Sequence, residues 1–94
     1  MASVKKLKKG IHNICGELFS ECMFCRFYIP NVNPEKADVL ITNILKTQNE
    51  FIKRSNRVGG KDNKKVVKTY YAKLRKDFLQ QIEGYIGEIQ SLNA

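Results

Sequence analysis

The sequence predicts an all-α single domain, an up-down-up antiparallel bundle with three helices over about 3–28, 34–57 and 62–92. Apolar residues recur at spacings of three and four in three long stretches, as on the buried face of a helix. Two breaks separate the stretches, one at residues 30–34, which contains both prolines, and one at residues 58–63, which contains a Gly-Gly pair. Short connections join antiparallel neighbours, and 94 residues are enough for one domain. The alternative is a pair of helices that completes its core only in a dimer.

The first predicted helix places its apolar residues on one face. Its stripe consists of Val4, Leu7, Ile11, Ile14, Leu18, Cys22 and Cys25. Gly10 and Gly16 each lower helix stability by about 1 kcal/mol relative to Ala. A kink, or a frayed start before Gly10, is therefore the alternative to a continuous helix.

The second predicted helix has a recognisable start and a recognisable stop. Asn33 is a good N-cap, and Pro34 suits the first helical position because its missing N–H has no acceptor there. Gly59 and Gly60 are expected to end the helix. Its stripe consists of Ala37, Leu40, Ile41, Ile44, Gln48, Phe51 and Ser55, with Leu45 and Ile52 beside it.

The third predicted helix starts near Asp62 or Asn63, either of which can cap it. Its stripe consists of Val67, Tyr70, Tyr71, Leu74, Phe78, Ile82, Tyr85, Ile89 and Leu92. Gly84 and Gly87 weaken its final third. All three helices are long enough to build one continuous core.

Positive charge is concentrated in two segments of a chain whose net charge is +8. Residues 53–76 contain ten basic residues and one acid, and residues 5–9 contain four lysines. An up-down-up topology brings both segments to one end of the bundle. The predicted anion-binding residues at this basic pole are Lys5, Lys6, Lys8, Lys9, Arg54, Arg57, Lys61, Lys64, Lys65, Lys68, Arg75 and Lys76.

The basic pole is either an ordinary solvated surface or a binding site for an anionic partner. Solvated helix faces usually mix charges of both signs, yet no acid occurs between Asp62 and Asp77. Nucleic-acid phosphate is the first candidate partner, and an anionic membrane surface or an acidic protein are the others. Tyr70 and Tyr71 are expected to be core residues rather than platforms for bases. No motif for sequence-specific recognition is present.

The half of the bundle opposite the basic pole has more apolar residues than one stripe can bury. The predicted self-association residues are Phe19, Met23, Phe24, Phe27, Tyr28, Leu79 and Ile86. An exposed apolar patch usually marks an interface, so a homodimer is expected. The alternatives are that the connection folds back over these residues, that the first helix ends before Phe24, or that another protein or an apolar ligand binds there.

His12, Cys15, Cys22 and Cys25 have the side-chain types of a zinc site. On a continuous helix, however, thirteen residues span about 20 Å, too far for one metal ion. Cys22 and Cys25 lie on the apolar stripe and are expected to pack in the core, with a metal or redox role for this pair as the alternative. No metal or cofactor is predicted.

The sequence predicts a non-enzymatic protein. It contains one histidine and no Gly-rich phosphate loop, so no nucleophile, base and orienting acid can be assembled. An odd number of cysteines and the absence of a secretory signal or a membrane span favour a cytoplasmic location without integral membrane association. The expected function is a self-associating binding or assembly module. The alternative is sequence-nonspecific binding of the nucleic-acid phosphate backbone.

Overall fold

The computed structural model of the chain describes residues 4–57 and 63–92. The chain is all-helical in these ranges, with no strand in either, and the prediction of three helices is confirmed. The helices are α1 (Val4–Tyr28), α2 (Pro34–Ser55) and α3 (Lys64–Leu92). Residues 3 and 62, with which two of the helices were predicted to begin, lie outside the described residues. None of the three helices, as far as they are described, is long and apolar enough to cross a bilayer.

The connection between α1 and α2 is short and packs against the core. Asn31 adopts a left-handed backbone conformation with φ of 73°, which an asparagine tolerates better than most residues. Ile29 and Val32, on either side of it, are half-buried against the core. Asn33 then caps α2, because its side-chain oxygen accepts the backbone N–H of Glu35 at 2.9 Å. The predicted start of α2 is therefore confirmed.

The start of α3 also has an asparagine cap. The side-chain oxygen of Asn63 accepts the backbone N–H of Lys65 at 2.8 Å, and its carbonyl accepts the N–H of Val67 at 3.0 Å. Of the two predicted caps, Asn63 has this role, while Asp62 lies outside the described residues.

α2 ends at Ser55, two residues before the predicted boundary at about 57. The N–H of Asn56 turns back to the carbonyl of Lys53 at 3.1 Å. Two tyrosine side chains of α3 reach the exposed carbonyls at this end: Tyr70 donates to Arg54 O at 2.7 Å and Tyr71 to Ser55 O at 3.0 Å. Partners from another helix thus occupy the terminal carbonyls of α2.

The core runs along the length of the helices. Its buried members are Ile11, Cys15, Leu18, Cys22, Cys25, Leu40, Ile44, Phe51, Leu74, Phe78, Ile82 and Ile89. Phe51 and Phe78 meet edge to face with ring centroids 5.2 Å apart. Cys15 and Thr47 are buried although neither was placed on a predicted stripe, and Leu45, which was placed beside one, is exposed.

Specific side-chain contacts connect the helices. Arg26 near the end of α1 pairs with Asp38 near the start of α2 at 2.6 Å. The hydroxyl oxygens of Thr47 in α2 and Tyr85 in α3 lie 2.5 Å apart. α2 packs against both other helices, while α1 and α3 share a smaller contact. The result is an elongated molecule of 52 × 18 × 17 Å.

Candidate interaction surfaces

Five of the six exposed basic residues in the first half of α3 lie on one side of the helix. We call this set the α3 cationic face, and its members are Lys64, Lys65, Lys68, Arg75 and Lys76. Twelve residues separate its ends, or about 18 Å along a helix. At 100° per residue, all five fall within a sector of about 120° around α3 that does not contain Leu74 or Tyr70, which face α2 or the core. The charges therefore form an extended row.

No residue of the α3 cationic face takes part in an ion pair within the part of the chain that the structure describes. Those ion pairs join Arg26 with Asp38 and Arg54 with Asp77. The face is also free of acids in sequence, because none occurs between residues 63 and 76. Five like charges therefore repel one another on one side of a helix, an arrangement that an anionic partner stabilises.

Arg54, a predicted anion-binding residue, lies in the interface between α2 and α3. Its guanidinium donates to Asp77 at 3.0 Å and lies over the Phe51 ring at 4.8 Å. The hydrogen bond with Asp77 raises the pKa of Arg54. Only 19% of its side chain is exposed. Arg54 joins the two helices and contributes little to the outer surface.

The remaining predicted anion-binding residues lie outside α3. Lys5, Lys6 and Lys9 are exposed in the first turns of α1, and Lys8 is half-buried. Arg57 is exposed two residues beyond the end of α2. Lys61 lies outside the described residues.

The sequence prediction omitted two exposed cations of the same basic segment, Lys53 and Lys73. Both were counted in its charge, but neither was named as an anion-binding residue. Both lie within the basic segment of residues 53–76, and this position is the sequence signal that could have identified them.

Tyr70 and Tyr71 are half-buried and pack against the core, as predicted. Both hydroxyls donate to carbonyls of α2, and the two rings meet edge to face at 5.6 Å. Their ring faces are therefore held by the protein itself.

Three aromatic side chains are exposed in the last two turns of α1. We call Phe24, Phe27 and Tyr28 the aromatic patch; their exposed fractions are 56%, 61% and 74%. The Phe24 and Tyr28 rings have centroids 5.3 Å apart, and the Arg26 guanidinium lies 4.8 Å from the centroid of Phe27. Contact among the rings hides only part of their surface. The patch remains an apolar area open to a partner.

The alternatives that would have hidden the aromatic patch do not apply. α1 continues to Tyr28 rather than ending before Phe24. The connection packs Ile29 and Val32 on the core and leaves the patch exposed.

The other predicted self-association residues divide into two groups. Leu79 and Ile86 are exposed, whereas Phe19 and Met23 are half-buried. Sequence reasoning missed three exposed apolar residues, Val39, Leu45 and Val66. Val39 and Val66 lie off the apolar stripes, and helical periodicity gives no signal for residues that face water singly.

All three cysteines are buried in the core. Burial, with smaller contributions from Cys25, Glu21 and Glu88, raises the pKa of the Cys22 thiol from 9.0 to about 11. A thiol that stays protonated is a poor nucleophile and a poor metal ligand. Among residues 4–57 and 63–92, no three His, Cys, Asp or Glu side chains are grouped closely enough to hold a metal ion.

Two open grooves lie along α2 and α3. The first, of about 410 Å³, is lined mainly by polar side chains, among them Glu50, Gln80, Gln81 and Glu88. The second, of about 630 Å³, lies between residues 33–43 and residues 88–92. Neither lining contains a histidine or a cysteine.

Comparisons of the chain with models of protein families, with curated proteins and with solved structures found no match.

Proposed function

We propose that the protein is a non-enzymatic binding module that associates with a second copy of itself through the aromatic patch. The observation that carries this proposal is the exposure of three neighbouring aromatic rings, each more than half open to water. Scattered single apolar residues on a surface are normal, but an adjacent group of large rings is not. Burying this group in an interface removes the unfavourable contact with water.

The aromatic patch needs neighbours to form a stable interface. A buried aromatic ring contributes about 150–250 Å², so three half-exposed rings from each of two copies supply roughly 600–800 Å². A standard interface buries about 1,600 Å² in total. Half-buried Met23 lies one turn from Phe27, and Phe19 lies one turn further. We propose that these two side chains extend the interface in a twofold dimer.

The proposed bundle is antiparallel, with an up-down-up order of helices, and four observations support it. Residues near the end of α1 pair with residues near the start of α2, as in Arg26 with Asp38. Tyr70, early in α3, reaches Arg54, near the end of α2. The second groove joins the start of α2 to the last turns of α3. Glu88 in these turns affects the pKa of Cys22, which lies in the second half of α1.

In this topology Lys5, Lys6, Lys8 and Lys9 lie near the first half of α3. They add charge to the α3 cationic face, and the aromatic patch lies at the other end.

The dimer is tested by measuring mass as a function of concentration. Sedimentation velocity is expected to show twice the monomer mass of 10.8 kDa at tens of micromolar. Phe24→Ser combined with Phe27→Ser is expected to shift the protein to monomer. The matched control is Val66→Ser, because Val66 is as exposed as the two phenylalanines but belongs to α3. Phe, Val and Ser have similar helix propensities, so the helices are preserved.

A monomer at every concentration of the parent chain contradicts self-association. A dimer that survives the double substitution contradicts the aromatic patch as its interface.

A second function, binding of nucleic-acid phosphate, is favoured by the α3 cationic face. Its five cations are exposed and take no part in the two ion pairs of the described residues. Each cation that neutralises a phosphate releases a counterion, so affinity falls steeply with salt. Five contacts on duplex DNA predict a log–log salt slope of about −4.5. No detectable binding at 50 mM salt contradicts this function.

A further inference from the structure

We infer that the α3 cationic face binds nucleic acid as a duplex, through its phosphates and without stacking on bases. This inference rests on the second proposed function, phosphate binding by the same face. It adds the kind of nucleic acid and the kind of contact. Three features of the described residues carry it.

The first feature is that the two tyrosine side chains beside the α3 cationic face already contact other parts of the protein. Tyr70 and Tyr71 are the aromatic residues within the segment that carries the α3 cationic face. Their hydroxyls are hydrogen-bonded to Arg54 O and Ser55 O, and their rings contact each other and the core. Proteins that bind single strands rely on ring faces on which bases stack. Here such a ring has to leave the helix interface first.

The second feature is the location of the exposed rings. The aromatic patch lies at the end of α1, beside the start of α2, as the pair of Arg26 with Asp38 shows. The α3 cationic face lies in the half of α3 that contacts the end of α2. A strand bound along the face therefore does not reach the aromatic patch within the length of the face.

The third feature is the shape of the charged row. A helix holds the five cations at fixed positions over about 18 Å. Duplex DNA carries one charge per about 1.7 Å of axis, so about ten phosphates lie within that length. A stiff duplex presents these charges already in place. A single strand has to be ordered first, and no stacking is available to offset that cost.

The experiment compares a 20-base-pair duplex with one of its strands in fluorescence anisotropy titrations of the full chain. Salt is varied from 50 to 200 mM. The duplex is expected to bind at least about tenfold tighter, since one stacked base is worth about tenfold in affinity to single-strand binders. Its salt slope is expected near −4.5.

Two double substitutions locate the site. Lys68→Ala with Arg75→Ala removes two charges from the face and is expected to make the duplex salt slope shallower by about 2. Lys36→Ala with Lys46→Ala removes the same charge from exposed positions of α2 and is expected to leave the slope unchanged. An equal effect of the two pairs overturns the assignment to the face.

The outcomes separate this inference from the function on which it rests. A single strand that binds as tightly as the duplex, or tighter, overturns the inference and leaves phosphate binding standing. Absence of binding to both at 50 mM salt overturns phosphate binding itself.

A third substitution tests the absence of stacking directly. Tyr70→Phe removes the hydroxyl that holds the ring but keeps the ring. We expect it to leave the ratio of duplex to single-strand affinity unchanged. A severalfold gain for the single strand shows that the freed ring can stack, which supports the restraint by α2. A severalfold loss for the single strand shows that the Tyr70 hydroxyl contacts the strand, so the side chain is not withheld from it, and overturns the inference.

Discussion

At the scale of single residues, the cysteines show how burial decides chemistry. A spacing of three places Cys22 and Cys25 on one helix face, where a metal or redox pair is geometrically allowed. Both are buried, and Cys22 has no exposed surface. Burial keeps the Cys22 thiol protonated and therefore unreactive. It also makes the free energy of unfolding depend on pH, because the unfolded chain loses this proton more easily.

The stability of the protein is expected to fall between about pH 9 and pH 11 because of Cys22. Its pKa is about 11 in the folded chain, against 9.0 ordinarily. The unfolded chain loses this proton first, so the stabilisation is complete below pH 9 and is lost as the pH rises to about 11. The loss amounts to about 3 kcal/mol at most, since one pKa unit corresponds to about 1.4 kcal/mol. Urea unfolding at pH 8 and pH 11, under reducing conditions, measures it.

Cys22→Ala is the control for this prediction, because it removes the titrating group while the tyrosines and lysines still titrate. The variant is expected to be less stable at pH 8, since it leaves a small cavity, but to lose less stability between the two pH values. Equal losses in the two proteins contradict the role of Cys22.

At the scale of the helices, the end of α2 depends on α3. Sequence reasoning expected Gly59 and Gly60 to end the helix, yet α2 ends at Ser55. The carbonyls of Arg54 and Ser55 accept hydroxyls from tyrosines sixteen residues away along the chain. A local pattern contains no information about such a partner.

Replacing either tyrosine by phenylalanine is expected to destabilise the fold. Tyr70→Phe and Tyr71→Phe each remove one hydrogen bond to the end of α2, at a cost of about 1 kcal/mol. The melting temperature is expected to fall by about 4–8 °C for each. Tyr28→Phe is the control, because 74% of Tyr28 is exposed, and it is expected to melt like the parent chain. Equal melting of all four proteins contradicts the capping role.

Much of each helix was predictable because its signals are local. Asn33 and Pro34 mark the start of α2, and the three-and-four spacing identifies most of the core. Thr47 was not predictable as a buried residue, because its hydroxyl is satisfied by Tyr85, thirty-eight residues away. The basic residues of the α3 cationic face could be predicted as exposed, since they lie off the stripe. Arg54 contributes little to the surface because its guanidinium contacts both Asp77 and Phe51. Helical periodicity does not indicate these two contacts.

At the scale of the whole molecule, the elongated shape leaves much surface exposed. A compact protein of 10.8 kDa exposes about 5,500 Å², whereas this chain exposes 6916 Å². A bundle only 17–18 Å thick leaves part of every helix exposed to water. This exposed surface is available to the second copy that we propose as the partner.

A twofold dimer through the aromatic patch places the two cationic faces at the outer ends of the assembly. Each molecule is 52 Å long, and in the proposed topology the patch and the face lie at opposite ends. One dimer is therefore expected to hold two duplexes at once. Capture of a fluorescent duplex on beads that carry a second duplex measures this, and it is expected to appear on addition of the protein and to decline when protein is in large excess.

The variant carrying Phe24→Ser and Phe27→Ser separates bridging from binding. As a monomer it retains the α3 cationic face, so its anisotropy signal with one duplex is expected to remain while capture on the beads disappears. Capture that persists in the monomeric variant contradicts bridging by the dimer, since one molecule then contacts both duplexes. A dimeric parent chain that binds duplex but captures none on the beads places both cationic faces on one side, which requires an interface along the length of the helices rather than at their end.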